Sequence, residues 1–161
     1  MIEVEEREGV RLRAEDVEDL AVMAALLQDG RVALREMAYD PEERRFIAAF
    51  IRYRRELQDD PTSCAGLTEI GVALRFDCIA QVKHRNLDPD DLERQLTLLT
   101  IATEPGERQL FHIDLVFEGG PEIQLRTDCI DVLLEDFGKP RPCRVSPCDH
   151  FANEFGLGAK A

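Results

Sequence analysis

Between Leu110 and Thr127 the chain reads as two alternating segments joined by Gly119-Gly120-Pro121, a pattern best satisfied by an antiparallel hairpin with one buried face. Phe111, Ile113, Leu115 and Phe117 fall on one side of an extended strand, and His112, Asp114 and Glu118 on the other. The two glycines supply the positive φ that a tight reversal needs, and Pro121, which has no amide donor, stands where the ladder has not restarted. Ile123 and Leu125 then return inward. Beyond Thr127 the apolar spacing becomes Ile130, Leu133, Leu134, Phe137. That spacing predicts a short helix, capped by Thr127 or Asp128 and ended by Gly138 and Pro140.

Upstream, Val10 and Leu12 belong to an edge strand or a frayed arm, and Asp16 caps a predicted helix. Its apolar face is Val17, Leu20, Ala21, Ala24 and Leu27, widened by Met23 and Leu26, and Gly30 ends it. Val32 and Leu34 return to strand period, and Asp40-Pro41-Glu42-Glu43 makes a turn. Phe46 to Ile51 is apolar on both faces, as a strand covered on both sides would be. Val72 to Val82 alternates as one long strand with a bulge or bend, and Leu96 to Thr103 forms another. Strands in a run, framed by helices, indicate an α+β fold. The expected architecture is a mainly antiparallel sheet curled into a small barrel or sandwich, with an N-terminal helix and a short C-terminal helix. Its topology is similar to the pleckstrin-homology superfold. Residues 1–138 are expected to form a single domain and 139–161 a tail containing proline and cysteine.

The chain carries 33 Asp plus Glu against 20 Lys plus Arg in 161 residues. Such a field repels phosphate backbones and anionic headgroups, so neither nucleic acid nor a membrane is an expected partner. No apolar run approaches the ~20 residues of a membrane span, and the acidic start, Met1 to Glu8, is unlike a signal peptide. A cytoplasmic protein is expected. Five cysteines without an export signal then read as reduced thiols, Cys78 on an inward strand face and Cys129 in the first turn of the predicted C-terminal helix. Cys143, Cys148 and His150 are zinc-ligand types, but their spacing is longer than that of compact zinc knuckles and a fourth ligand is missing. The reading is a tail without metal, and no cofactor is expected.

No phosphate-binding glycine loop, nucleophile elbow, paired metal histidines or calcium loop occurs, so no catalytic residue is assigned. Arg44, Arg45, Arg52, Arg54 and Arg55 cluster at the two ends of one strand, where neutralisation of nearby carboxylates is the simplest role and an anion site the second. A non-enzymatic module that receives a protein partner on a sheet edge or groove fits this sequence without motifs. The alternative is a small-ligand-binding protein or enzyme with a pocket at the barrel mouth, using Arg52, Arg54, His84 or His112.

Several segments together resemble a bacterial family catalogued as a domain of unknown function, number 2948. They are Glu15 to Val22 with Leu27-Gln28-Asp29, Tyr39 to Phe46, Leu74 to Asp77, Leu98 to Ile101, Leu115 to Gly120, Asp128 to Asp131 and Leu134 to Gly138. The resemblance spans most of the chain in order. It implies a small cytoplasmic bacterial protein and assigns no activity and no site residue.

Overall fold

The computed structural model describes residues 9–58 and 64–143. Ten strands and one α-helix follow one another as β1 (Arg11–Ala14), α1 (Val17–Leu27), β2 (Arg31–Ala33), β3 (Met37–Asp40), β4 (Arg45–Tyr53), β5 (Thr68–Phe76), β6 (Ile79–Arg85), β7 (Gln95–Pro105), β8 (Phe111–Phe117), β9 (Glu122–Thr127) and β10 (Val132–Pro142). Short 3-10 turns lie at Leu34–Glu36 and Arg55–Leu57. The strand order is β1-β10-β5-β4-β2-β7-β8-β9-β6, every pairing antiparallel, with β3 on the same edge of β4 as β2.

The α+β class and the antiparallel sheet agree with the sequence. Closure does not: β1 and β6 end the path and each pairs one neighbour only, so the sheet forms neither a closed barrel nor a sandwich, and the pleckstrin-homology likeness fails with it. The predicted C-terminal helix is also absent. Its residues form β10, paired with β1 on one side and β5 on the other. Val132 and Leu134 face the core while Leu133 is half-buried on the opposite face, so both sides of this strand carry apolar residues and the alternation that marks a strand is lost.

Where sequence and structure agree, the local causes are visible. Asp16 accepts the Asp19 amide at 2.8 Å and Asp19 accepts the Glu15 amide at 3.1 Å, a reciprocal cap that starts α1. Leu20, Met23 and Leu27 are its buried stripe. The helix stops because Asp29 turns left-handed, φ 67°, and Gly30 follows where a Cβ would lie 2.8 Å from the Leu27 carbonyl oxygen. Gly119 and Gly120 take the positive φ values, 90° and 114°, that the β8–β9 reversal requires. The anticipated long strand from Val72 to Val82 is broken in two. Asp77 and Cys78 end β5, Cys78 adopts φ 64°, and β6 leaves to pair with β9 at the far end of the sheet.

One continuous core joins both halves of the sheet to α1, with Phe46, Phe50, Phe76, Leu74, Leu98, Leu115 and Phe117 at its centre. Arg52, at the end of β4, is fully buried, as is Glu69 on β5.

Candidate metal centre

Two turns meet beside the start of β6. The first is the Asp77-Cys78 break, and the second is Asp128-Cys129, between β9 and β10. The pairing of Ile79 with Thr127 brings them together. Thr127 is fully buried, and its Oγ1 lies 2.9 Å from the Cys78 carbonyl oxygen and 2.6 Å from that of Cys129, while it accepts the Cys129 amide at 3.2 Å. One hydroxyl thus links both turns. The first turn is anchored further by the Asp77 amide on the Asp131 carbonyl at 2.9 Å and the Ile79 amide on the Arg44 carbonyl at 2.9 Å. Arg45 and Arg75 both donate to the Asp77 carboxylate.

On this scaffold one ligand atom each from Cys78, Asp128 and Cys129 lies within 4.8 Å of the other two. Cys78 is half-buried, and Asp128 and Cys129 are exposed, so the cluster opens to solvent. The Cys129 thiol is pushed up to about 12 by its hydrogen bond with Cys78, by burial, and by the nearby sulfur and the Asp128 and Asp131 carboxylates. A divalent cation would displace the thiol proton and offset the negative charge that its loss leaves beside Asp128 and Asp131. A tetrahedral zinc, with Zn–S near 2.3 Å, holds two thiolates about 3.8 Å apart, a spacing inside the 4.8 Å limit of these ligand atoms. Two thiolates and a carboxylate suit a borderline-soft ion, and three protein ligands leave a fourth position open.

The residues singled out in the sequence are placed elsewhere. Arg52 uses all five of its N–H groups, on Asp136, Glu56 and the Tyr53 carbonyl, at 2.6–3.2 Å. Arg54 is buried with its Nη1 3.4 Å from Thr68 Oγ1. His84 is exposed on β6 and lines a small cavity of about 190 Å³ with Lys83, Arg85, Glu122 and Gln124. His112 pairs in register with Glu104 and Arg126, whereas His84 pairs with Ile123, so the two imidazoles leave the sheet on opposite faces. Cys143 is a free thiol that donates to the Leu67 carbonyl at 3.3 Å, and Cys148 and His150 lie outside the described residues. Cys78 and Cys129 are free thiols, and Cys64 is disulfide-bonded, which departs from the expectation of five reduced cysteines.

Asp114, beside His112, is 5% exposed, and its Oδ1 has no hydrogen-bond partner. Burial and a hydrogen bond with Glu104 raise its carboxyl above the ordinary range. The folded protein therefore keeps this proton to higher pH than the unfolded chain, and stability falls as the pH rises from the ordinary carboxyl range through the raised value. Asp114→Asn is expected to flatten that fall and to stabilise the protein by about 1 kcal/mol at neutral pH. Urea unfolding at acidic and neutral pH checks both.

The fold and the cluster define an open antiparallel α+β domain carrying a solvent-facing dithiol–carboxylate site. Residues 10–149 match the family described as protein of unknown function DUF2948. The chain belongs to that family, as the resemblance in its sequence implied. No curated protein and no solved structure matches it.

Proposed function

We propose that this domain is a small-ligand-binding protein whose ligand is a zinc-class divalent ion, held by Cys78, Asp128 and Cys129 with one position left for water or a further small ligand. The observation that carries the reading is the convergence of three ligand atoms within 4.8 Å from two turns that Thr127 ties together. The acidic charge of the chain attracts cations and repels polyanions, which also supports a role away from nucleic acid. Among the described residues no helix is long and apolar enough to cross a membrane. A module that adds a partner strand is less well supported: β6, one of the open edges, carries Lys83, His84 and Arg85, and charged side chains on an edge strand discourage pairing.

Cobalt substitution tests the proposal. Titrating Co²⁺ into the reduced full-length protein should give a thiolate-to-cobalt charge-transfer band and the intense visible bands of a tetrahedral site, saturating at one equivalent and displaced by Zn²⁺. Absence of these bands, with the Cys78 and Cys129 thiols shown to be free by alkylation mapping, would reject it.

A further inference from the structure

A cavity of about 420 Å³ lies on the face of the sheet away from the core and shares no residue with the thiol cluster. Its floor is small. Ala49 and Ala33 project from β4 and β2 between larger neighbours, and Ile51 and the half-exposed ring of Phe137 make the walls. Phe137 is opposite Gly71 in the β10–β5 ladder, and its ring occupies the space where a Gly71 Cβ would stand, at 2.8 Å. The missing side chain at Gly71 therefore sets the position of that wall. A bulge between Phe137 and Arg141, with Gly138 at φ 76°, brings Arg141 opposite Glu69 and into the cavity lining.

The polar end has two guanidinium groups. Arg31 Nη2 donates to Glu69 Oε1 at 2.7 Å and Arg141 Nε to Glu69 Oε2 at 2.9 Å, with the Glu69 carboxylate fully buried behind them. Two guanidinium groups thus converge on one carboxylate. Among the described residues each arginine makes this one side-chain hydrogen bond and Arg31 Nε is buried without an acceptor, so several N–H groups remain uncommitted there. Glu36, on the rim, lies 3.8 Å from Arg35, which is paired more closely with Glu93 at 2.6 Å. Planar N–H forks match a carboxylate. A dianion would face both Glu36 and Glu69. An apolar floor with a few convergent donors is the make-up of a small-molecule site, and this volume falls in the range of such sites, about 300–1,000 Å³.

We infer that this cavity binds a small monocarboxylate with an aromatic or branched aliphatic body, its carboxylate on Arg31 and Arg141 and its body over Ala33 and Ala49, between Ile51 and Phe137. The inference stands apart from the metal site and survives or fails without it.

Titrating benzoate and 4-methylpentanoate into ¹⁵N-labelled full-length protein, with benzyl alcohol and inorganic phosphate as controls, reads the binding directly. At least one carboxylate should give saturable shifts centred on Arg31, Ala49, Gln95 and Phe137, with the alcohol and phosphate at least tenfold weaker. Arg141→Met should weaken the carboxylate tenfold or more, and Ala49→Leu, which fills the floor from the face opposite the core, should abolish binding while the remaining spectrum stays folded. No saturable shift with either carboxylate would overturn the inference. So would alcohol or phosphate binding as tightly as the carboxylates, or carboxylate binding unchanged in the folded Ala49→Leu protein.

Discussion

Replacing Arg52 with methionine is expected to cost about 3–5 kcal/mol of folding stability, because it strands a buried charge. Arg52 is fully buried and Asp136 is 1% exposed, joined through Arg52 Nε at 2.8 Å and Nη2 at 2.6 Å. Glu56 closes the other side of the guanidinium at 2.8 and 3.0 Å. Asp136 also receives the Val10 amide at 2.8 Å, so one residue on β10 ties β4 to the segment before β1, while Arg52 itself holds the turn after β4 through Glu56. In the variant the Asp136 carboxylate would keep one amide and lose both guanidinium bonds. For a chain of this length the loss corresponds to a fall of about 10 °C in the unfolding midpoint. Removing both partners, Arg52→Met with Asp136→Leu, should recover much of it, since the desolvation cost disappears along with the attraction.

The same network sets a pH dependence with a definite sign. Burial acts to raise the Glu56 carboxyl, but the hydrogen bonds from Arg52 outweigh it and hold the group below its ordinary range. A depressed folded-state value means stability that is present above the ordinary carboxyl pKa and is lost as the pH falls through the lowered one. Arg52→Met should flatten this acid limb as well as lower the plateau. Urea titrations of both proteins from neutral to acidic pH measure both effects, and an unchanged acid limb would show that Glu56 is not linked to Arg52.

Arg52 also shows how far the sequence reaches. A run of arginines beside an apolar strand suggests surface charge, and only the position of Asp136 on the inward face of β10 makes Arg52 a core residue. That position was hidden because Leu133 and Phe137 on the outer face and Val132 and Leu134 on the inner one mimic a helical stripe. The hairpin from Phe111 to Thr127 was legible for the opposite reason: one face is buried, the other polar, and paired glycines mark the turn. The break at Cys78 was not. Alternation continues across it, and its left-handed φ falls on a cysteine where a glycine or asparagine would have announced it. Cys78 and Cys129 read in sequence as separate thiols on a strand and in a helix turn, because their proximity depends on β6 pairing with β9, a long-range choice that local periodicity does not encode.

Cys129→Ser is expected to weaken Co²⁺ and Zn²⁺ binding by about 100-fold or more, since a hydroxyl is a poor substitute for thiolate on a borderline-soft ion. The raised Cys129 thiol adds a condition. With its pKa near 12 the group holds its proton at neutral pH, and the metal must displace it. Affinity should therefore rise with pH, by about tenfold per unit for each proton released. In the serine variant, whatever binding remains should lose the part of that slope due to Cys129. Thr127→Val leaves all three ligands in place but removes the hydroxyl that links the turns, and a loss of about 10–100-fold is expected, as for a residue that orients ligands without touching the metal. Zinc at 100 times its dissociation constant should also stabilise the wild-type fold by about 2.7 kcal/mol, and the folded Cys129→Ser protein by no more than about 0.4 kcal/mol at the same concentration. Equal stabilisation of both would place the ion elsewhere on this acidic surface.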